Sequence, residues 1–106
     1  MTILDFETRE GADETHIALR GELDLATTDK VERELERVEA SPPSVLVLDL
    51  SGLTFLDSTG LRLIVAADQR ARAADRRLVV VKGPAPVHRV FSITKLDERL
   101  EMVDEA

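Results

Sequence analysis

Two nearly uninterrupted apolar stretches constrain the fold of this chain more than any other feature. The first is residues 45–50, VLVLDL, and the second is residues 78–81, LVVV. Apolar runs of this length without polar alternation are typical of central strands that are covered on both faces. Parallel neighbours inside a sheet need a crossover connection, which is usually a helix.

The segment between the two runs has the pattern of that helix. From Ser58 to about Ala74, the residues Leu61, Ile64 and Val65 share one face. The two runs and this helix therefore predict a βαβ unit, whose crossover is expected to be right-handed. Several arginines follow toward the end of the helix: Arg70, Arg72, Arg76 and Arg77. They are explained equally well by the favourable placement of cations at a helix C-terminus and by a basic patch that orients a partner.

The N-terminal part of the chain predicts a hairpin and a helix. Residues 3–8 and 16–20 alternate partially and are separated by a polar, glycine-containing stretch, so we expect two paired strands. A helix is then predicted from Thr27 or Thr28, either of which is a suitable N-cap, with Val31, Leu35 and Val38 forming its apolar stripe. The pair Pro42-Pro43 ends it.

The C-terminal part predicts one more helix and one short strand. A helix begins near Pro84 and Pro86 and continues with Val87, Val90 and Phe91, and residues 100–103 are expected to form a last edge strand. The element order β-β-α-β-α-β-α-β predicts an α/β fold, with a mixed sheet of four to five strands packed with about three to four helices. With 106 residues and 43% hydrophobic content, residues 1–106 are expected to form a single domain.

Composition argues against several classes of function. A net charge of -7 repels a nucleic-acid backbone, and three phenylalanines are the only aromatic side chains, so no direct nucleic-acid partner is expected. Neither a signal peptide nor a membrane span is apparent, and cysteine is absent, so we expect a cytoplasmic protein. The low aromatic content and a net charge away from zero are compatible with a monomer, so a monomer or a weak dimer is expected. Phosphate-binding loops, dinucleotide fingerprints and nucleophile elbows are absent, and His16 and His88 are not expected to bind metal. No catalytic residue, cofactor or metal is therefore predicted, and the chain is not expected to be an enzyme.

The most informative segment is residues 49–61, DLSGLTFLDSTGL, which leaves the first apolar run, turns, and enters a helix at Asp57-Ser58. One interpretation is structural: Asp57 or Ser58 caps the helix by accepting a hydrogen bond from a free backbone N–H. The other is functional, because a hydroxyl at a helix N-terminus lies near N–H groups that favour an anion, so a phosphate would be tolerated there. Spacing alone leaves both interpretations open.

Two segments resemble a known family. The residues 21–24, GELD, and 55–61, FLDSTGL, are similar to motifs of the STAS domains, and within that family to the stand-alone anti-sigma-factor antagonists. The element order agrees over essentially the whole chain, and residues 86–91, PVHRVF, look like the third helix of the family. Lysine stands at position 95 where the family often has glycine, so a backbone with positive φ there would be strained.

The resemblance implies a regulatory binding protein controlled by phosphorylation. The unphosphorylated antagonist would bind an anti-sigma factor that is also a serine kinase, phosphorylation would release it, and a PP2C-type phosphatase would reset it. Ser58 matches the phosphorylated serine, with Thr59 as a minor alternative. The residues implied at the partner surface are Asp24, Asp57, Ser58, Thr59 and Gly60.

Two alternatives use the same sequence differently. A STAS scaffold, or an accessory subunit of a stress-signalling or transport complex, would make a constitutive contact without phosphorylation of Ser58. A response-regulator type of phosphoacceptor would instead use Asp49 and Lys82, each at the end of a predicted strand, although the acidic pair that would hold its metal ion is missing.

Overall fold

The computed structural model describes residues 3–105, and its element order agrees with the prediction. The strands are β1 (Leu4–Glu10), β2 (Glu14–Leu23), β3 (Val45–Leu56), β4 (Arg77–Val81) and β5 (Glu101–Val103). The helices are α1 (Thr28–Glu39), α2 (Ser58–Ala73) and α3 (Ala85–Ile93), followed by a short 3₁₀ turn (Leu96–Glu98).

The five strands form one mixed sheet in the order β1-β2-β3-β4-β5. β1 is antiparallel to β2, and the other neighbours are parallel. The predicted βαβ unit is β3-α2-β4, and its first strand is the centre of the sheet. The prediction of a mixed α/β fold is confirmed.

The helices pack on one face of the sheet. Fully buried side chains from each helix, Leu35 of α1, Ile64 of α2 and Phe91 of α3, share one apolar core with Leu48 of β3. The opposite face carries a smaller cluster of strand residues: Val47, Val79 and Val81. Because both Leu48 and Val47 are buried, the expected burial of β3 on its two faces is confirmed.

β3 is longer than the sequence predicted, and this difference shapes the site. The stretch after Leu50, predicted to turn, continues as strand to Leu56 and pairs with the end of β2. The β2–β3 register shifts between Ala18 and Arg20 and again between Gly21 and Glu22, and Gly21 has φ +104°. Such irregularities are typical of β-bulges. One residue, Asp57, therefore separates a central strand from α2.

Two non-glycine residues adopt the left-handed backbone conformation. Lys95 has φ +61°, so the position where lysine replaces a common glycine does require a positive φ. Asp75 has φ +56° and follows the end of α2, where the N–H of Arg76 bonds to the carbonyl of Ala71 in a Schellman-type ending. A lysine in this conformation is less favourable than glycine.

Candidate functional site

The site lies where β3 ends and α2 begins. Asp57 has an extended backbone, with φ -104° and ψ -176°, and its Oδ1 accepts a hydrogen bond from the Gly60 N–H at 2.9 Å. Asp57 is therefore the N-cap of α2, and the predicted capping role belongs to Asp57 rather than Ser58. The Ser58 hydroxyl is not the group that caps the helix.

Ser58 occupies the first position of α2 and is exposed to solvent, whereas Thr59 is half-buried. The first turn of a helix carries N–H groups without intrahelical partners and a partial positive charge. The Ser58 hydroxyl is thus accessible, and its position favours an added anion.

Gly60 faces the interior. A Cβ at this position would lie 2.7 Å from Leu56 Cδ1, 2.8 Å from Leu23 Cγ and 2.9 Å from the Leu23 carbonyl oxygen. The absence of a side chain lets the first turn of α2 sit directly on the ends of β2 and β3. Gly60 is buried, so its visible role is to allow this close packing.

The loop between β2 and α1 is held by Asp24. Its Oδ1 accepts hydrogen bonds from the N–H of Ala26 at 3.0 Å and of Thr27 at 3.2 Å. The Thr27 hydroxyl accepts from the Asp24 N–H at 3.0 Å and donates to the Glu22 carbonyl at 2.8 Å. Thr27 is the N-cap residue of α1, which is one of the two predicted positions, but its side chain makes no capping hydrogen bond. Thr28 is the first residue of the helix and is buried. The hydroxyl of Thr27 forms its hydrogen bonds with the preceding loop instead.

Asp57 joins this loop to α2. Its Oδ2 accepts a hydrogen bond from the Leu25 N–H at 3.1 Å, and its own N–H donates to the Leu23 carbonyl at 3.2 Å. The two segments that carry the family resemblance, far apart in sequence, are therefore neighbours. Leu25 is 75% exposed, and Phe55, two residues before Asp57, is 46% exposed. Sequence reasoning did not select Leu25; the available signal was an apolar residue in a loop of polar and small residues.

Three of the four arginines near the end of α2 form ion pairs within the chain. Arg70 forms a bidentate pair with Glu39 of α1, Arg72 pairs with Asp68, and Arg77 pairs with Glu101. The first pair connects α2 to α1, the second lies within α2, and the third connects β4 to β5. Neither explanation given for the basic segment included these ion pairs, and they leave fewer free cations for a basic patch.

The two residues of the response-regulator alternative, Asp49 and Lys82, bond to other partners. Asp49 accepts a hydrogen bond from the Ser51 N–H at 2.9 Å, and Lys82 pairs with Asp104 at 3.3 Å. Among residues 3–105, no three histidine or acidic side chains gather into a group that could hold a metal ion. Over the same residues, no helix is long and apolar enough to cross a bilayer.

Comparison with known proteins gives the family. The STAS profile described as "Mlab, STAS domain" matches residues 6–104. This chain belongs to the STAS family. The anti-sigma-B factor antagonist of Listeria monocytogenes is 33% identical over 90 residues, which cover 85% of this chain and 79% of that protein. Such proteins are regulatory binding proteins, which supports the expectation that this STAS protein is not an enzyme.

Solved structures agree with the fold. An anti-sigma factor antagonist from Mycobacterium paratuberculosis superposes with a TM-score of 0.88 at 25% identity, over 96% of this chain and 86% of that one. The Bacillus cell fate determinant SpoIIAA in its phosphorylated form superposes with a TM-score of 0.74 at 18% identity, over 95% of this chain and 93% of that one. The STAS-type architecture predicted from the sequence is confirmed.

Proposed function

We propose that this STAS protein is a cytoplasmic anti-sigma-factor antagonist switched at Ser58. In its unphosphorylated form it binds an anti-sigma factor that is also a serine kinase, and this frees a sigma subunit for transcription. Phosphorylation of Ser58 releases the antagonist, and a PP2C-type phosphatase restores it. The observation that carries the proposal is the exposed Ser58 at the first position of α2, beside a cap already supplied by Asp57.

The position of Ser58 explains how a phosphate can change binding without unfolding the chain. A phosphoryl group adds about -1.5 to -2 charges at neutral pH. The partial positive charge at the start of α2 favours this anion, and Ser58 is exposed, so little packing is disturbed. A partner surface lying flush on the helix start would instead meet added bulk and a charge beside Asp57. SpoIIAA, a protein with the same fold, has a solved structure in its phosphorylated form.

Exposure also favours Ser58 over Thr59 as the phosphate acceptor. A kinase must reach the hydroxyl oxygen with its nucleotide, and Thr59 is half-buried in the first turn of α2. Thr59 stays the minor alternative, and the Thr59→Val variant separates the two residues because it removes only the hydroxyl.

The test is phosphorylation and binding with a purified serine-kinase anti-sigma factor from the same organism. With ATP, mass spectrometry should place one phosphate on Ser58, stable to mild alkali, in wild type and in Thr59→Val but not in Ser58→Ala. By calorimetry, Ser58→Ala should bind as tightly as the wild-type protein, and Ser58→Asp should bind at least tenfold more weakly.

Two results would contradict the switch. Equal affinity of Ser58→Asp and wild type would indicate the constitutive scaffold instead. A phosphate lost in mild alkali would indicate an aspartyl phosphate, because acyl phosphates hydrolyse under conditions in which phosphoserine largely survives.

A further inference from the structure

The loop that precedes α1 presents an apolar side chain in a held position. Leu25 is 75% exposed, the largest fraction among the exposed large hydrophobic residues of the described chain. Its N–H is bound by the Asp57 carboxylate at 3.1 Å, and Asp24 holds the N–H groups of the next two residues, Ala26 and Thr27. A single exposed leucine is ordinary on a protein surface. An exposed leucine is less ordinary where hydrogen bonds to carboxylates fix its own N–H and those of the next two residues.

We propose that Leu25 is the apolar anchor of the surface that binds the anti-sigma factor, and that Asp57 is a positioning residue that holds this anchor beside Ser58. This inference rests on the proposed function and adds the chemistry of the contact: the partner must offer an apolar pocket next to the surface that meets Ser58. The switch residue and the anchor are then separate, because Ser58 controls release and Leu25 supplies affinity.

The closeness of Leu25 to Ser58 indicates which partner protein covers Leu25. The residue that accepts the hydrogen bond from the Leu25 N–H is also the residue that precedes Ser58, so Leu25 and Ser58 are both direct neighbours of Asp57. A stable interface covers about 800 Å² on each partner. An area of that size that includes Ser58 also includes its close neighbours. One protein that senses a phosphate on Ser58 therefore also covers Leu25.

The hydrogen bonds of the loop contribute by ordering the anchor before binding. Immobilising a flexible segment at an interface opposes association, and a segment that is already ordered avoids that loss. The Asp57 carboxylate uses one oxygen for the helix cap and the other for the Leu25 N–H. In Asp57→Asn only one of these two acceptors remains, because the side-chain NH₂ group donates only. That variant separates the cap from the loop contact.

The experiment measures the affinity of unphosphorylated variants for the anti-sigma factor. Leu25→Ala should bind at least tenfold more weakly than wild type. The matched control is Ile93→Ala, since Ile93 is 73% exposed. α3 runs back from the end of β4 to the start of β5, which places its last residue, Ile93, toward the end of the sheet opposite Ser58. Ile93→Ala should change the affinity less than twofold.

A second measurement tests the positioning role without a partner. Hydrogen exchange of the Leu25 amide should be at least fivefold faster in Asp57→Asn than in wild type, while the far-UV circular dichroism spectrum is unchanged. Unchanged exchange would overturn the role of Asp57. Equal affinities of Leu25→Ala and Ile93→Ala, with Ser58→Asp still weakened, would overturn the anchor and leave the proposed function intact. Failure of the wild-type protein itself to bind any anti-sigma factor of its organism would overturn both.

Discussion

The packing of α2 against the sheet makes Gly60→Ala a quantitative test of the site. The new methyl group would lie within 3.0 Å of three atoms: Leu56 Cδ1 at 2.7 Å, Leu23 Cγ at 2.8 Å and the Leu23 carbonyl oxygen at 2.9 Å. The two side-chain atoms can move, but the carbonyl oxygen belongs to the backbone of β2. Relief of that contact therefore requires α2 to shift away from the strand.

The expected loss of stability follows from two opposing effects. Overpacking a buried site by one methyl group costs about 1–3 kcal/mol. Alanine is favoured over glycine inside a helix by about 0.5–1 kcal/mol, which offsets part of that cost. The net prediction is a decrease of roughly 1–2 kcal/mol in the free energy of unfolding, or roughly 4 °C or more in Tm.

Urea unfolding followed by far-UV circular dichroism measures this change, because the chain has no tryptophan or tyrosine for fluorescence. With a slope of about 1–3 kcal/mol/M, the midpoint should fall by roughly 0.3–2 M. Ser58→Ala is the control, since it alters the same helical turn at an exposed position and should change stability by less than about 0.5 kcal/mol. A Gly60→Ala protein as stable as wild type would refute the argument that α2 is seated by close contact at this residue.

Three further predictions concern other contacts. Lys95→Gly should be about 0.5–1 kcal/mol more stable than Lys95→Ala in urea unfolding, because only glycine adopts φ +61° without strain; equal stabilities would contradict this. Asp57→Ala should lose about 1 kcal/mol in the same assay through the missing helix cap, and Asp57→Asn less, because asparagine also caps well; a larger loss in Asp57→Asn would argue against capping. The hydrogen bond from Arg37 lowers the pKa of Glu34, so Glu34 stabilises the fold above its ordinary pKa and loses this contribution as the pH falls through the lowered value. Wild type should therefore exceed Glu34→Gln in stability at pH 7, and the difference should shrink toward pH 3; a constant difference would contradict the linkage.

Much of the architecture was predictable because it depends on local patterns. The continuous apolar run of residues 45–50, the helical stripe that includes Leu61 and Ile64, and the prolines that flank the helices indicate elements directly. The extension of β3 to Leu56 was not predictable in this way. Its polar residues make no apolar pattern, and their strand conformation depends on pairing with the end of β2.

The same division applies to the site. The sequence by itself determined the family motif, a cap at Asp57 or Ser58, and an accessible hydroxyl at the start of a helix. Only the tertiary structure decided that Asp57 is the cap, that Gly60 is a packing contact, and that Leu25 is tied to Asp57. The last two depend on an atom of a residue more than 30 positions away in sequence, Leu23 for Gly60 and Leu25 for Asp57. Hydrogen bonds and close contacts of that kind form only when the parallel pairing of β2 with β3 brings the two segments together.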